Sequence, residues 1–457
     1  NPKPQTPNPK PQTPNPFGKD TLESYLEMYQ DIIIMRTSLG LFLVFLICFS
    51  TATPALTSLY NPTNFLENSS LKECGDSLFA GMVTPLGYPF SSATVTTDDG
   101  YVLKLFRIQA KNTQMTSGKP VVFLQHGLFD SADDWVINGE QYSLGFILAN
   151  AGYDVWFGNS RGNKYSRVNI NIPPSKREFW QFSFQQMGEF DVKANIGYIL
   201  AFTGQQKLVY VGHSQGTSQM FAALGDPKTA PFINAKVSKF IALAPVVFLP
   251  NITSKFFLAL QKDNALIAGA EIFGIEEWLP GACSTTSAQT EFEVFVCTKD
   301  PTFCDWIIGI MDYDPTYDNE ANMPQYMKHL PSGTSLMCML HYKQLIDMPK
   351  TNPLFMKFDY GPEGNKKHYN QLVPPLYHLS NANIPIRGFV GLQDELGDPT
   401  DNTFLKATLA ALNKDYTEYR YNNCGHITFM WGLNPSQIMS DVLAEIKASA
   451  PVGVVDA

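Results

Sequence analysis

Lys207-Leu-Val-Tyr-Val-Gly-His-Ser-Gln-Gly216 runs directly into Thr217-Ser-Gln-Met-Phe-Ala-Ala-Leu224. The apolar, β-branched run from Leu208 to Val211 predicts a buried strand. The residues after Gly216 place Met220, Phe221 and Leu224 at helical spacing and stop at Gly225-Asp226-Pro227, which predicts a helix. Between the two lies Gly212-His-Ser-Gln-Gly216. Strand, Gly-x-Ser-x-Gly and helix together are the setting in which a serine is lifted clear of a sheet edge as a nucleophile. The helix N-terminus behind it favours the negative charge that develops when a serine attacks an ester carbonyl.

The chain carries a second copy, Gly158-Asn-Ser-Arg-Gly162, after the strand-like Tyr153-Asp-Val-Trp-Phe157. The segment beyond it, Asn163-Lys-Tyr-Ser-Arg-Val-Asn-Ile-Asn-Ile-Pro-Pro174, is polar and aperiodic and ends in a double proline. No helix is expected there, so Ser160 lacks the turn and dipole that Ser214 has.

Working outward, short apolar strands recur at Val121–Gln125, Tyr153–Phe157, Leu208–Val211, Phe240–Ala244, Ile384–Val390 and Tyr416–Tyr421. Helical stretches such as Gln141–Asn150 and Glu189–Phe202 lie between several of them. Strands alternating with helices predict an α/β fold built on a mostly parallel sheet covered on both faces. Thr94–Ile108 alternates on either side of Asp99-Gly100 and predicts an antiparallel hairpin at one edge. The alternation lapses between about Val246 and Pro374, a stretch rich in Phe, Trp, Met and Pro. We therefore expect two core parts, 72–245 and 375–450, with 246–374 inserted above the sheet as a cap. A final amphipathic helix carries Ile438, Val442, Leu443 and Ile446.

Residues 1–34 begin with a repeated Asn-Pro-Lys-Pro-Gln-Thr-Pro heptad, a proline-rich leader expected to be disordered. Met35-Arg36, the apolar run Leu39–Phe49 and small residues to Ala52 form an expected signal peptide over 35–52, too short an apolar run for a stable transmembrane span. The secretory pathway, ending outside the cell or in a lysosome or vacuole, is the expected route. Asn68 and Asn251 begin sequons that such a route could glycosylate. Seven cysteines in 457 residues are too few for a disulfide scaffold; Cys283, Cys297 and Cys304 cluster and are candidates for a bridge of undetermined pairing. The formal net charge of −9 argues against a nucleic-acid partner, and 44% hydrophobic against 16% charged residues excludes a disordered chain.

A serine nucleophile needs a base, and in this fold the chain order is serine, acid, histidine. Asp394 ends the strand-like Ile384–Gln393, and His426 is the one histidine beyond it, in the turn Asn422-Asn-Cys-Gly-His426. His426 is the expected general base and Asp394 its orienting acid, with Asp398 and Asp401 as rivals in the following Gly-Asp-Pro loop. The oxyanion donors are expected at the backbone N–H of Gln215, next to the serine, and of Leu128 in His126-Gly-Leu128, which ends the strand Val121–Gln125. His213 has no assigned role. His329, His341, His368 and His378 lack metal-ligand spacing, and Asp98-Asp99 and Asp133-Asp134 read as loop carboxylates. The relay needs no metal and no cofactor, and none is expected.

The segments Thr97-Asp-Asp-Gly-Tyr-Val-Leu103, Leu124-Gln-His-Gly-Leu128, Asp154-Val-Trp-Phe-Gly-Asn-Ser-Arg-Gly162, Phe182-Ser-Phe-Gln-Gln-Met187 and Gly212-His-Ser-Gln-Gly216 resemble the acid lipases, the gastric and lysosomal enzymes and their plant and insect relatives. The resemblance runs from about Val95 to Ile446. In that family Gly-Asn-Ser-Arg-Gly is a loop signature, which agrees with setting Ser160 aside. The resemblance implies an α/β-hydrolase fold with a lid over an apolar acyl channel. It also implies hydrolysis of triacylglycerols or steryl esters at a lipid–water interface at acidic pH, with the triad on Ser214, Asp394 and His426 and the oxyanion donors on Leu128 and Gln215. The departures lie in the insertion, where the family's lid disulfide cannot be placed residue by residue on Cys297 and Cys304. A carboxylesterase or acyltransferase acting on smaller esters would share every one of these residues. A catalytically silent lipid-binding relative is the alternative from another class, and an intact triad argues against it.

Overall fold

The computed structural model of the chain describes residues 74–255, 257–258, 276–279, 281 and 317–449. The expected leader, the signal peptide, the Asn68 sequon, the three clustered cysteines and the apolar runs at Ile272-Phe273 and Trp306–Met311 lie outside the described residues.

The chain enters the sheet with the expected hairpin, β1 (Phe90–Thr96) and β2 (Tyr101–Ile108), paired antiparallel at one edge. Six further strands follow: β3 (Val121–Gln125), β4 (Asp154–Gly158), β5 (Leu208–His213), β6 (Val237–Leu243), β7 (Ile386–Gly391) and β8 (Tyr416–Tyr421). Their order across the sheet is β1-β2-β4-β3-β5-β6-β7-β8, with Val168–Asn169 added beside β2. Every pairing from β4 to β8 is parallel, so their carboxyl ends all open on one side. This is the α/β-hydrolase architecture, and loops at the carboxyl ends of parallel strands are where such sheets place their sites.

The central strands β3, β4 and β5 are buried along their whole length, because helices cover both faces. On one face Phe79 stacks on Phe106 with ring centroids 4.6 Å apart and meets Phe157 at 5.2 Å. Each such ring withdrawn from water contributes about 1.5–3 kcal/mol. Arg107 of β2 donates from Nε and Nη2 to both oxygens of Asp154 at 2.6 and 2.7 Å, which holds the antiparallel edge in register with the parallel core. The helix predicted over Glu189–Phe202 begins as a π turn, Met187–Asp191, and continues as α1 (Val192–Thr203), closed by Gly204 at a φ of 73°. The helix after Ser214 is α2 (Gln215–Gly225), and all its residues are buried, more than the spacing of Met220, Phe221 and Leu224 suggested.

The described part of the stretch between β6 and β7 adds no strand to the main sheet. It contributes a two-stranded pair, Glu277–Trp278 against Thr334–Ser335, and α3 (Leu336–Ile346), whose N-cap Ser335 accepts a hydrogen bond from the Cys338 N–H. Beyond β7 come α4 (Pro399–Ala411) and the final amphipathic α5 (Ser436–Lys447), which buries Ile438, Met439, Val442 and Ile446. Among the described residues no helix is long and apolar enough to cross a membrane.

Candidate active site

Ser214 follows the last residue of β5 and precedes the first of α2, with φ 50° and ψ −117°. A non-glycine residue held in so sparsely populated a region is strained, and the turn lifts its hydroxyl off the sheet. Gly216 makes the turn possible: a Cβ there would sit 2.3 Å from the Gln125 carbonyl oxygen. The turn is held by Ser214 N–H donating to the Leu243 carbonyl at 3.0 Å and by Tyr210 donating to the Gly216 carbonyl at 2.9 Å.

Asp394 lies just past β7, and His426 in the turn past β8. The two loops are packed so closely that a Cβ on Gly391 would sit 2.3 Å from the Cys424 carbonyl oxygen. His426 Nε2 is 2.7 Å from Ser214 Oγ, and its Nδ1 is 2.9 Å from both oxygens of Asp394. An imidazole protonated on Nδ1 donates to Asp394 and accepts the serine proton on Nε2. All three side chains are buried. Asp394 Oδ1 also accepts from the N–H groups of Leu396 and Gly397 at 2.8 and 2.6 Å, so the carboxylate is fixed in place. The rival carboxylates are engaged elsewhere. Asp398 accepts from the Thr400 N–H at 2.6 Å and caps α4. Asp401 accepts from the backbone and side-chain N–H of Asn251. The amide of that sequon asparagine is thus held by a carboxylate.

The loop after β3 brings Gly127 under the serine, where a Cβ would lie 3.3 Å from Ser214 Cβ. Leu128 follows, and Phe129 has a φ of 61°, so the backbone bends sharply just beyond the expected donor. Among the described residues, no acceptor takes the N–H of Leu128 or of Gln215.

Ser160 has a structural setting. Its hydroxyl accepts from the Gln125 and Gln219 amides, each at 3.0 Å. The next residue, Arg161, is 1% exposed and pairs with Asp191 and Asp99 from three of its nitrogens. Its guanidinium lies 4.0 Å over the Tyr101 ring. The Gly-Asn-Ser-Arg-Gly loop is therefore a buried anchor that ties the hairpin to the helix behind Ser214, and Asp99 is its partner and not a free loop carboxylate.

His213, which had no assigned role, donates from Nε2 to the His426 carbonyl oxygen at 2.9 Å and so helps hold the loop of the expected base. Burial, with the His426 charge next, pushes its imidazole down to about 3, and burial pushes His126 down to about 4. Both stay neutral in mild acid, so neither adds positive charge beside His426. Only the adjacency of His213 to Ser214 hinted at a role. His329 and His341 are buried and bonded, to Asp133 Oδ2 at 2.9 Å and to Ser183 Oγ and the Met356 carbonyl, and His368 stacks on Tyr360. Among the described residues, no group of three or more His, Cys, Asp or Glu side chains could hold a metal ion.

Asp133 and Asp134 require a correction: they are buried, not loop carboxylates in solvent. Burial alone would raise the Asp133 carboxyl, but Lys164 at 2.7 Å and His329 bring it down to about 2. Asp130 and Asp134 have no such cation. Burial, and for Asp130 the neighbouring Asp134, push both upward, and Trp431 Nε1 donates to Asp134 at 2.6 Å. The folded state thus keeps a proton that the unfolded chain releases near 3.8. Stability contributed here is present in acid and declines as pH rises above that value toward the raised native one. Asp130→Asn is expected to flatten the decline, its thermal midpoint gaining on wild type by about 1–3 °C between about pH 4 and pH 8. Parallel midpoint curves for the two proteins would refute the assignment.

Residues 79–139 match the family described as the partial alpha/beta-hydrolase lipase region, and residues 120–266 match the alpha/beta hydrolase fold. The gastric triacylglycerol lipase of Homo sapiens is 37% identical over 373 residues, covering 80% of this chain and 90% of that one. The gastric triacylglycerol lipase of Bos taurus is 38% identical, covering 79% and 89%. Lipase member K of Mus musculus is 33% identical, covering 80% and 90%.

Proposed function

This chain belongs to the family of the gastric triacylglycerol lipases, and from that premise we propose that it is a secreted or lysosomal serine hydrolase of neutral lipid esters, triacylglycerols or steryl esters. Membership makes it a lipid ester hydrolase. The observation that carries the reading of the chemistry is the unbroken relay Ser214 Oγ to His426 Nε2 at 2.7 Å and His426 Nδ1 to Asp394 at 2.9 Å, on a serine strained at a helix N-terminus.

In this reading Ser214 Oγ attacks the ester carbonyl carbon as its proton passes to His426 Nε2. Asp394 keeps Nδ1 protonated and stabilises the imidazolium that forms. The carbonyl oxygen, now an anion, takes the N–H groups of Leu128 and Gln215. Collapse breaks the bond to the alcohol oxygen, which leaves with the proton from His426. Water then attacks the acyl-serine by the same relay, releasing the fatty acid and restoring Ser214. No step calls for a cofactor. The stretch 246–374 is proposed as the cap over the acyl site, and its aromatic and aliphatic composition suits a lipid–water interface.

The test is fatty-acid release from an emulsified long-chain triacylglycerol, measured beside hydrolysis of a soluble short-chain ester as each crosses its solubility limit. A rate that jumps once emulsion forms is expected. Activity confined to the soluble ester, without a jump, would replace the lipase reading with that of a carboxylesterase.

A further inference from the structure

Gln215 follows the nucleophile and is buried, yet its side chain reaches no part of the Ser214, His426 and Asp394 relay. Its amide oxygen Oε1 instead accepts from Cys338 Sγ at 2.9 Å and lies 3.4 Å from the hydroxyl of Tyr342. Both donors stand one turn apart on α3, from the stretch between β6 and β7. The Tyr342 hydroxyl is also 3.3 Å from Ser218 Oγ, one turn along α2, and Ser218 donates to the Val246 carbonyl at 2.7 Å. On the other side of the residue, the peptide that carries the Gln215 N–H has its carbonyl on Ser214. That oxygen accepts from Thr217 Oγ1 at 2.6 Å, and Thr217 Oγ1 accepts from the Val246 N–H at 2.9 Å.

The peptide unit expected to face the oxyanion is therefore gripped at both ends by groups from the stretch that begins at Val246. The Gln215 N–H is useful only if it points within a narrow cone at the developing anion. Its own side chain is the nearest lever on it. Burial pushes the Cys338 thiol up to about 12, so it stays an S–H donor at any pH at which the protein would work.

We propose that Cys338 and Tyr342 are positioning residues for the oxyanion hole, acting through the Gln215 side chain to aim the Gln215 N–H. The proposal rests on the reading of Ser214 and Gln215 given above. It makes α3 the element through which the segment over the site is coupled to transition-state stabilisation.

The experiment is a double-mutant cycle read as kcat and KM on an emulsified triacylglycerol, with thermal midpoints recorded for every variant. Gln215→Ala keeps the N–H and removes the lever. It and the pair Cys338→Ala with Tyr342→Phe are each expected to lower kcat roughly three- to tenfold at little change in KM, as loss of a weak neutral hydrogen bond predicts. Combining them should cost no more than either alone, because both act through one side chain. Cys338→Ser restores a donor of similar size and should recover most of the loss that Cys338→Ala causes, which a purely packing role would not. Losses that multiply in the combined variant, or a folded Cys338→Ala/Tyr342→Phe protein with wild-type kcat, would overturn the proposal. Failure of the underlying reading has a separate signature: Ser214→Ala would then retain full activity, whatever the α3 variants do.

Discussion

Ser214→Ala is expected to lower ester hydrolysis by roughly 10⁴- to 10⁶-fold, as removal of an activated serine from such a relay does elsewhere. The residue forms the only covalent bond to the acyl group in the proposed route, so no other side chain at the site can replace it. The fold should be indifferent to the change. Ser214 holds its turn through the backbone, its N–H to Leu243 and its carbonyl to Thr217, and alanine keeps both. Strain at φ 50° weighs on alanine as it does on serine. A melting curve close to wild type with activity lost on every ester would fit. A variant as active as wild type would move the nucleophile elsewhere, with Ser160 the first place to look; yet that hydroxyl is already occupied by Gln125 and Gln219.

Asp394→Asn should cost roughly 10⁴-fold in kcat, while the thermal midpoint changes little. An asparagine of the same shape keeps an oxygen for the N–H groups of Leu396 and Gly397. Its NH2 facing His426 Nδ1 favours the tautomer with the proton on Nε2, which can no longer accept from Ser214. It also removes the negative charge that stabilises the imidazolium. The contrasting variant is Asp398→Asn. That side chain caps α4 and touches neither His426 nor Ser214, so its change should alter stability by about 1 kcal/mol or less and leave kcat within about threefold. If Asp398→Asn proves the damaging one, the acid has been misassigned.

Much of this was legible in the chain, because the decisive signals are local. The β-branched runs, the glycines around Ser214 and the helical spacing after it specify strand, turn and helix within some twenty residues. The site groups each fall at the end of a recognisable strand: Leu128 after β3, Ser214 after β5, Asp394 after β7 and His426 after β8. A parallel sheet sends those ends to one side, so order along the chain becomes proximity in space. The different contexts of the two Gly-x-Ser-x-Gly copies were enough to separate Ser214 from Ser160.

What a linear reading could not reach are contacts whose partners arrive from distant segments. Asp394, Asp398 and Asp401 share one loop, and only their bonds, to His426, to the cap of α4 and to Asn251, tell them apart. Asp99 and Asp191 find Arg161, and Asp133 finds Lys164 and His329, because burial leaves a charge no other resting place. His213 reaches the carbonyl of His426, and Cys338 reaches Gln215 across more than a hundred residues of chain. Periodicity and spacing report which face of an element is apolar. They carry no signal for which buried polar atoms will meet, since that follows from how the sheet, the loops at its carboxyl edge and α3 pack in three dimensions.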